Sequence, residues 1–383
     1  MQNILTHDVA VIIPLYNGAR WIGRTLASVQ AQTQPPREVV VVDDGSDDRS
    51  RALVQERPGV TLLRNPTQGA NAARRVGYEH TTAPLVAFLD QDDAWHPEHL
   101  RTLCDVLRRH PEAPAAVADV HHFEHDRHLS FPASRKKAGP VDPWKHFPYG
   151  SIATPSAVLL RRTALEGMGG WPTRFVGVAD HYTWLRLSTA HALQTSGRTT
   201  VGYRQHSTSH SATLRARNGR SYLQSLSEAS ADALAHRIAR GAEDTAALRQ
   251  RQALLVPMQD LIEAIDASDW DRLRAAAQAL EHMLEEAPPV FRGTVCRQLL
   301  WFLKPAVVSN PSVRRVTLRA LYVHWPESAP RLGRAVRAAA EEAWPWDVFL
   351  RASTDWRHGH WWTAGRVLVS RVRRHLHVRR LFS

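Results

Sequence analysis

Four short runs set the strongest limit on the fold: VAVIIPLYN (9–17), REVVVVDDGS (37–46), VTLLRN (60–65) and PLVAFLD (84–90). Several of them are apolar at consecutive positions. A strand with one wet face alternates apolar and polar residues, whereas a strand covered on both faces has no polar side, and that pattern belongs to parallel sheets sandwiched by helices. β-Branched residues dominate the runs and turn-forming residues close them. Helix candidates lie between: residues 20–31 with Ile22, Leu26 and Val29 on one face, 47–56 behind the capping candidates Ser46 and Asp47, and 69–80 with Ala70, Ala73 and Gly77. Strand and helix alternate, so the first half reads as a doubly wound α/β layer with a mainly parallel sheet.

From about Ser221 the texture changes to Ala-, Leu- and Arg-rich stretches such as DRLRAAAQALEHMLEEA (271–287) and RLGRAVRAAAEEAW (331–344). These are helix formers at helical spacing, so an all-α C-terminal domain is expected. The polar segment 206–220 has few apolar anchors and marks the junction. With 383 residues, the chain divides into residues 1–210 and 211–383. The phrases 267–280 and 353–368 share an Asp-Trp pair ahead of an Ala-containing helix, but two copies without a fixed period are weak evidence for a repeat.

Lys and Arg total 49 against 37 Asp and Glu, a net charge of +12. That excess suits nucleic acid, an anionic bilayer or a phosphorylated substrate, and does not choose among them. The opening MQNILTHDVAVIIPLYN has no basic region followed by an apolar core and cleavage site, and no apolar run approaches membrane-spanning length, so a soluble, cytoplasmic chain is expected. Cys104 and Cys296 lie far apart and signal neither a disulfide framework nor a zinc site. Residues 366–383 hold six arginines and no acid. Two readings stand for them: a packed terminal helix with solvated arginines, or a basic amphipathic helix lying on the inner face of an anionic membrane.

The stretch VAFLDQDDAWHPEHL (86–100) runs from a strand straight into three carboxylates, Asp90, Asp92 and Asp93. Carboxylates crowded this closely repel one another. In open α/β sheets, ligands sit beyond the carboxyl ends of the strands, and these ends carry Tyr16 and Asn17, then Asp43 and Asp44, then Asp90 to Asp93. A divalent cation relieves the repulsion, since magnesium or manganese typically takes one or two carboxylates and completes its shell with water and substrate phosphates. The alternative is an acidic turn ahead of the helix opened by Pro97.

In their order, VAVIIPLYNGARWIGRTLASVQAQT, REVVVVDDGSDD, GANAARRVGYEH and PLVAFLDQDDAWHPEHL resemble the family 2 glycosyltransferases of the GT-A fold; TPSAVLLRRTALEGMGGWPTRFVGVADHYTWLRLS (154–188) resembles that family's acceptor-side block. The resemblance implies inverting transfer of a sugar from a nucleotide diphosphate, by default uridine diphosphate, to an acceptor hydroxyl of a surface glycan or lipid-linked glycan. No nucleic acid partner is expected. It further implies that Pro14 and Tyr16 shape the base pocket and that Asp43 or Asp44 contacts base or ribose. Asp90 and Asp92 would be the Asp-x-Asp pair holding Mn2+ or Mg2+ on the diphosphate. Arg74 matches the arginine of an Ala-Arg-Asn signature, and Arg75 replaces the asparagine, adding charge where phosphate would bind. His206, after GYRQ, stands where the family often has a histidine near the diphosphate and its metal. Ala179-Asp180 replaces the usual Glu-Asp pair, leaving Asp180 as the base, with helix capping as its competing role. Gly169, Gly170 and Trp171 would form the acceptor-side turn, Trp171 being either a sugar-stacking surface or a buried ring.

Other functions fit less well. A sugar nucleotidyltransferase or a dinucleotide dehydrogenase wants a Gly-rich loop after the first strand, where PLYNGARW offers only Gly18. A basic membrane- or nucleic-acid-binding protein built on a degenerate transferase core is opposed by the intact aspartates. HHFEHDRH (121–128) has irregular spacing and no cysteine, so it reads as a solvated loop and not a metal site.

Overall fold

The computed structural model describes residues 8–286, apart from 135–136, 149–150, 207–208, 210–218, 243–244 and 268. Cys296, the stretches 331–344 and 353–368 and the basic tail 366–383 lie outside the described residues, as does most of the expected junction.

The four predicted strands are β1 (Val9–Leu15), β2 (Glu38–Asp43), β3 (Thr61–Arg64) and β4 (Leu85–Phe88). They pair in parallel in the order β3-β2-β1-β4. Every residue of β1 and β4 is buried, as strands apolar on both faces require, while β3 lies at the sheet edge and is partly exposed. The intervening helices are α1 (Ile22–Gln30), α2 (Ser50–Gln55) and α3 (Ala70–His80). The small face of α3 lets it lie close on the sheet, since a side-chain carbon added at Gly77 would collide with Ile12 and press on Val42. The capping expectation for α2 is corrected. The helix opens at Ser50, and Ser46 and Asp47 lie outside it, where the Ser46 hydroxyl accepts the Asn17 amide at 3.0 Å.

The rest of the sheet is mixed. Beyond the two-residue β5 (Ala94–Trp95) and α4 (His99–Arg109) come β6 (Ala115–Phe123), β7 (Gly139–Val141), β8 (Val158–Arg161) and the long β9 (Leu193–Arg204). β8 inserts antiparallel between β4 and β6; β9 runs parallel to β6 and carries β5 and β7 antiparallel, making nine strands among the described residues. His121 and His122 belong to β6 and not to a loop, whereas Glu124, His125, Arg127 and His128 are exposed.

Helices α5 (Arg162–Glu166) and α6 (Ala179–Leu187) follow β8, and α7 (Gly219–Ala239), α8 (Ala246–Ala253), α9 (Leu255–Ala267) and α10 (Trp270–Glu286) follow β9. Leu223, Leu226, Met258, Leu261, Leu273 and Leu280 of this helical part pack with Trp144, Phe147, Phe175, Val178, Tyr182 and Leu185 in a core separate from that of the sheet. This second core therefore straddles residue 210. Among the described residues no helix is long and apolar enough to cross a membrane.

Candidate active site

The carboxyl ends of β1, β2 and β4 converge, and side chains lock the loops that leave them. Gln91, between the two aspartates of the Asp-x-Asp pair, grips the Tyr16 peptide from both sides: its amide oxygen accepts the Tyr16 N–H at 2.8 Å and its Nε2 donates to the Tyr16 carbonyl at 2.9 Å. Pro14 is buried in β1, but the Tyr16 ring is 56% exposed, so it is not consumed by packing. Asp43 is 2% exposed and accepts the Ser46 amide at 3.2 Å, with the Arg51 guanidinium 3.7 Å away. Asp44 accepts the Gly69 amide at 2.9 Å and the Asn65 side-chain amide at 2.6 Å, tying β2 to the entry of α3.

The three clustered aspartates part company. Asp93 is 1% exposed, accepting the Ser156 hydroxyl at 2.7 Å and the Arg204 amide at 3.0 Å. Burial, then the charges of Asp92 and Asp90, push its carboxyl well above the usual range. Asp90 points instead to Arg74, which pairs with it through Nη2 while lying 9% exposed on α3. Asp92 faces His206, its Oδ2 2.7 Å from Nε2. The expected metal residues thus fall into two neighbouring pairs, and among the described residues no three His, Cys, Asp or Glu side chains converge closely enough to hold an ion alone. A carboxylate facing an imidazole nitrogen, with a second carboxylate two residues away, is a donor set that suits Mn2+ when diphosphate oxygens complete the shell.

Asp180 lies in the first turn of α6 but does not cap it, since Val178 is the N-cap residue. Burial raises its carboxyl above the ordinary value, with the His181 amide and the Ser151 hydroxyl at 3.1 Å drawing it partly back. Arg74 lowers it and Asp90 raises it further, so Asp180 lies within electrostatic reach of both. The structure accordingly brings together Arg74, Asp90 and Asp180 on one side and Asp92 and His206 on the other.

One expectation is overturned, and of the two alternatives for Trp171 the buried ring is the one observed. Arg75 adds no charge at a phosphate position. Its guanidinium donates to the carbonyls of Gly169 and Trp171 and pairs with Glu79, one turn along α3. Trp171 is fully buried, 4.5 Å from the Phe88 ring and 6.2 Å from Trp184, with its indole N–H donated to Asn71 at 3.3 Å, so it offers no stacking surface. Sequence reasoning also missed Arg204. It is 2% exposed, holds the Asp92 carbonyl at 2.9 Å and Asp126 at 2.6 Å, and lies over Trp21 and Phe123. Its place at the end of β9, two residues before His206, was the available signal.

Residues 10–168 match the family model for glycosyl transferase family 2. This segment is a family 2 glycosyltransferase domain. The transferase domain is 36% identical over 121 residues to an uncharacterized glycosyltransferase of Nostoc sp., covering 30% of this chain and 36% of the relative. It is 40% identical over 100 residues to the succinoglycan biosynthesis protein ExoW of Rhizobium meliloti, covering 24% of this chain and 31% of that one. The chain thus spans about a third of the length of these relatives. Its fold is shared with S. aureus TarS residues 1–349 in complex with UDP, at a TM-score of 0.51 and 15% identity over 92% of each chain.

Proposed function

We propose that this chain transfers a sugar, with inversion, from a nucleoside diphosphate, by default uridine diphosphate, to a hydroxyl of a glycan or lipid-linked glycan. The observation that carries the reading is a half-buried carboxyl with raised proton affinity, Asp180, within electrostatic reach of the Arg74–Asp90 pair beyond the carboxyl end of β4, where open α/β sheets bind their ligands. The UDP complex of TarS, alike in fold, supports the choice of nucleotide.

In this reading Tyr16 and the loop after β2 receive the base and ribose. Arg74 offers positive charge against the diphosphate. Asp90, Asp92 and His206 would hold Mn2+ or Mg2+, which when bound neutralises the diphosphate leaving group. Asp180 takes the proton of the acceptor hydroxyl as its oxygen bonds to the anomeric carbon; the bond from that carbon to the diphosphate oxygen breaks, and its electron pair leaves with the diphosphate. Residues 1–210 would carry this chemistry and 211–383 form the helical part, the chain working at the cytoplasmic side of a membrane.

Two measurements test the reading. Without a cation the diphosphate meets Asp90 and Asp92 directly and is repelled, so calorimetry should find tight UDP binding with Mn2+ and weak binding in chelator. Equal affinity in both removes the metal role. Asp180→Asn should keep UDP affinity and melting temperature while turnover falls by ~10²–10⁴, the usual loss with a general base; full activity ends the base assignment.

A further inference from the structure

Helix α6 carries the candidate base, and one carboxylate of α7 grips the chain on both sides of it. Asp232 Oδ1 lies 2.6 Å from Arg174 Nη2, in the loop that enters α6. Its Oδ2 accepts the Tyr182 hydroxyl at 2.6 Å and lies 3.3 Å from Arg186 Nη1. Residue 174 precedes Asp180, whereas 182 and 186 follow it. Tyr182 and Arg186 are one turn apart and share a helix face; Asp180, two residues before Tyr182, projects about 200° away from it, toward Arg74 and Asp90. The helix is thus held on one face by Asp232 and presents Asp180 from the other.

The loop entering α6 needs holding. Phe175 adopts a left-handed backbone, φ 68°, which an L-residue with a large side chain avoids, and Gly177 follows at φ 78°. Packing over-determines this conformation. The Phe175 ring lies 4.7 Å from Tyr182 and 4.4 Å from the Arg174 guanidinium, the two groups that also bond Asp232. Removing the carboxylate unties the strained entry and the helix together, while the apolar second core still joins α6 to α7 through Val178, Leu185, Leu226 and Ala233.

We propose that Asp232, from the helical part of the chain, is a positioning residue for the transfer reaction, fixing the place of Asp180 by clamping Arg174, Tyr182 and Arg186. The inference rests on Asp180 being the base. It gives the helical part a task in the chemistry of the sheet domain, because displacing a catalytic group by about 1 Å costs as much as 10²-fold in rate.

The test uses the full chain, with UDP-sugar turnover onto water as acceptor, UDP affinity by calorimetry, and melting temperature. Asp232→Ala should lower kcat by about 10- to 100-fold and move the acid limb of its pH profile, with UDP affinity within twofold of wild type. Tyr182→Phe, which keeps the ring and removes one bond, should fall between, and Asp232→Glu should recover part of the loss. Arg272→Ala breaks the contacts of Arg272 with Asp260 and Glu263, both 2.8 Å, within the helical part and away from α6. It controls for general loosening and should leave kcat unchanged. Asp232→Ala with wild-type kcat and acid limb overturns the proposal, as does an equal kcat loss in Arg272→Ala. Full activity in Asp180→Asn overturns this proposal and the base assignment together, whereas an inactive Asp180→Asn beside a fully active Asp232→Ala overturns only this one.

Discussion

Asp93→Asn tests whether the buried third carboxylate is a cost that the fold carries. Asparagine keeps the shape and lets Oδ1 go on accepting the Arg204 amide, but its other terminus becomes a donor facing the Ser156 hydroxyl. Ser156 is fully buried and its oxygen already accepts the Asp90 amide at 3.1 Å, so its proton loses an acceptor. A buried donor left unpaired costs about 1–3 kcal/mol, and that is the upper limit of the variant's deficit at acid pH, where the protonated wild-type carboxyl also carries a hydrogen.

The deficit should shrink as pH rises. Burial and the charges of Asp92 and Asp90 raise the folded carboxyl of Asp93, so between the ordinary carboxylate value and the folded one the native state keeps a proton that the unfolded chain has lost. Wild-type stability therefore falls with rising pH in that window by up to about 1.4 kcal/mol per pH unit, a slope the variant lacks. At roughly 2–4 °C per kcal/mol for 150–250 residues, and less for a longer chain, the gap in melting temperature should close by at most about 6 °C per unit. Paired melts from pH 4 to 9 in chelator measure it, the subtraction removing the groups common to both proteins. A gap that widens with pH would mean that Asp93 is a stabilised carboxylate and would refute the reasoning.

Three further outcomes are expected. Because the Asp180 carboxyl is raised by burial and, as the proposed base, would act only when ionised, the acid limb of kcat/KM should lie above the ordinary aspartate value of about 3.9, and a limb below it would contradict the environment described. Arg75→Ala should cost about 0.5–1.5 kcal/mol in denaturant unfolding by freeing the Gly169 and Trp171 carbonyls, yet leave UDP affinity unchanged, whereas weakened UDP binding would restore a phosphate role. Burial pushes the Cys104 thiol up to about 12, so peptide mapping after alkylation at pH 8 should find it unlabelled until the protein is unfolded.

The parallel half of the sheet was legible because burial on both faces leaves an unbroken apolar run, as in VVVVD of β2. The mixed half was not. VLLR of β8 is four residues long and leads straight into α5, and nothing local tells such a run from the start of a helix. The cores were hidden for a related reason, since Trp144, Phe175 and Tyr182 lie within the transferase half of the sequence but pack with helices beyond residue 210.

In the site, residue type was readable and direction was not. Arg74 and Arg75 look equivalent in a string, yet successive residues on a helix point about 100° apart, so only one of them can face Asp90, and the other reaches the Gly169–Trp171 turn. Asp90, Asp92 and Asp93 differ in the same way: one meets a guanidinium, one an imidazole, and one is folded under Ser156. The repulsion that made the cluster conspicuous is thus met by a separate partner at Asp90 and at Asp92, and at Asp93 by a raised proton affinity. This has a consequence for binding. A ligand diphosphate must compete for Arg74 with Asp90, and a cation must come between Asp92 and His206, so each ligand breaks a pair whose freed carboxylate the other ligand can use or oppose. Cation and nucleotide should therefore bind more tightly together than either does alone, which is the pattern that titrating UDP with and without Mn2+ reads directly.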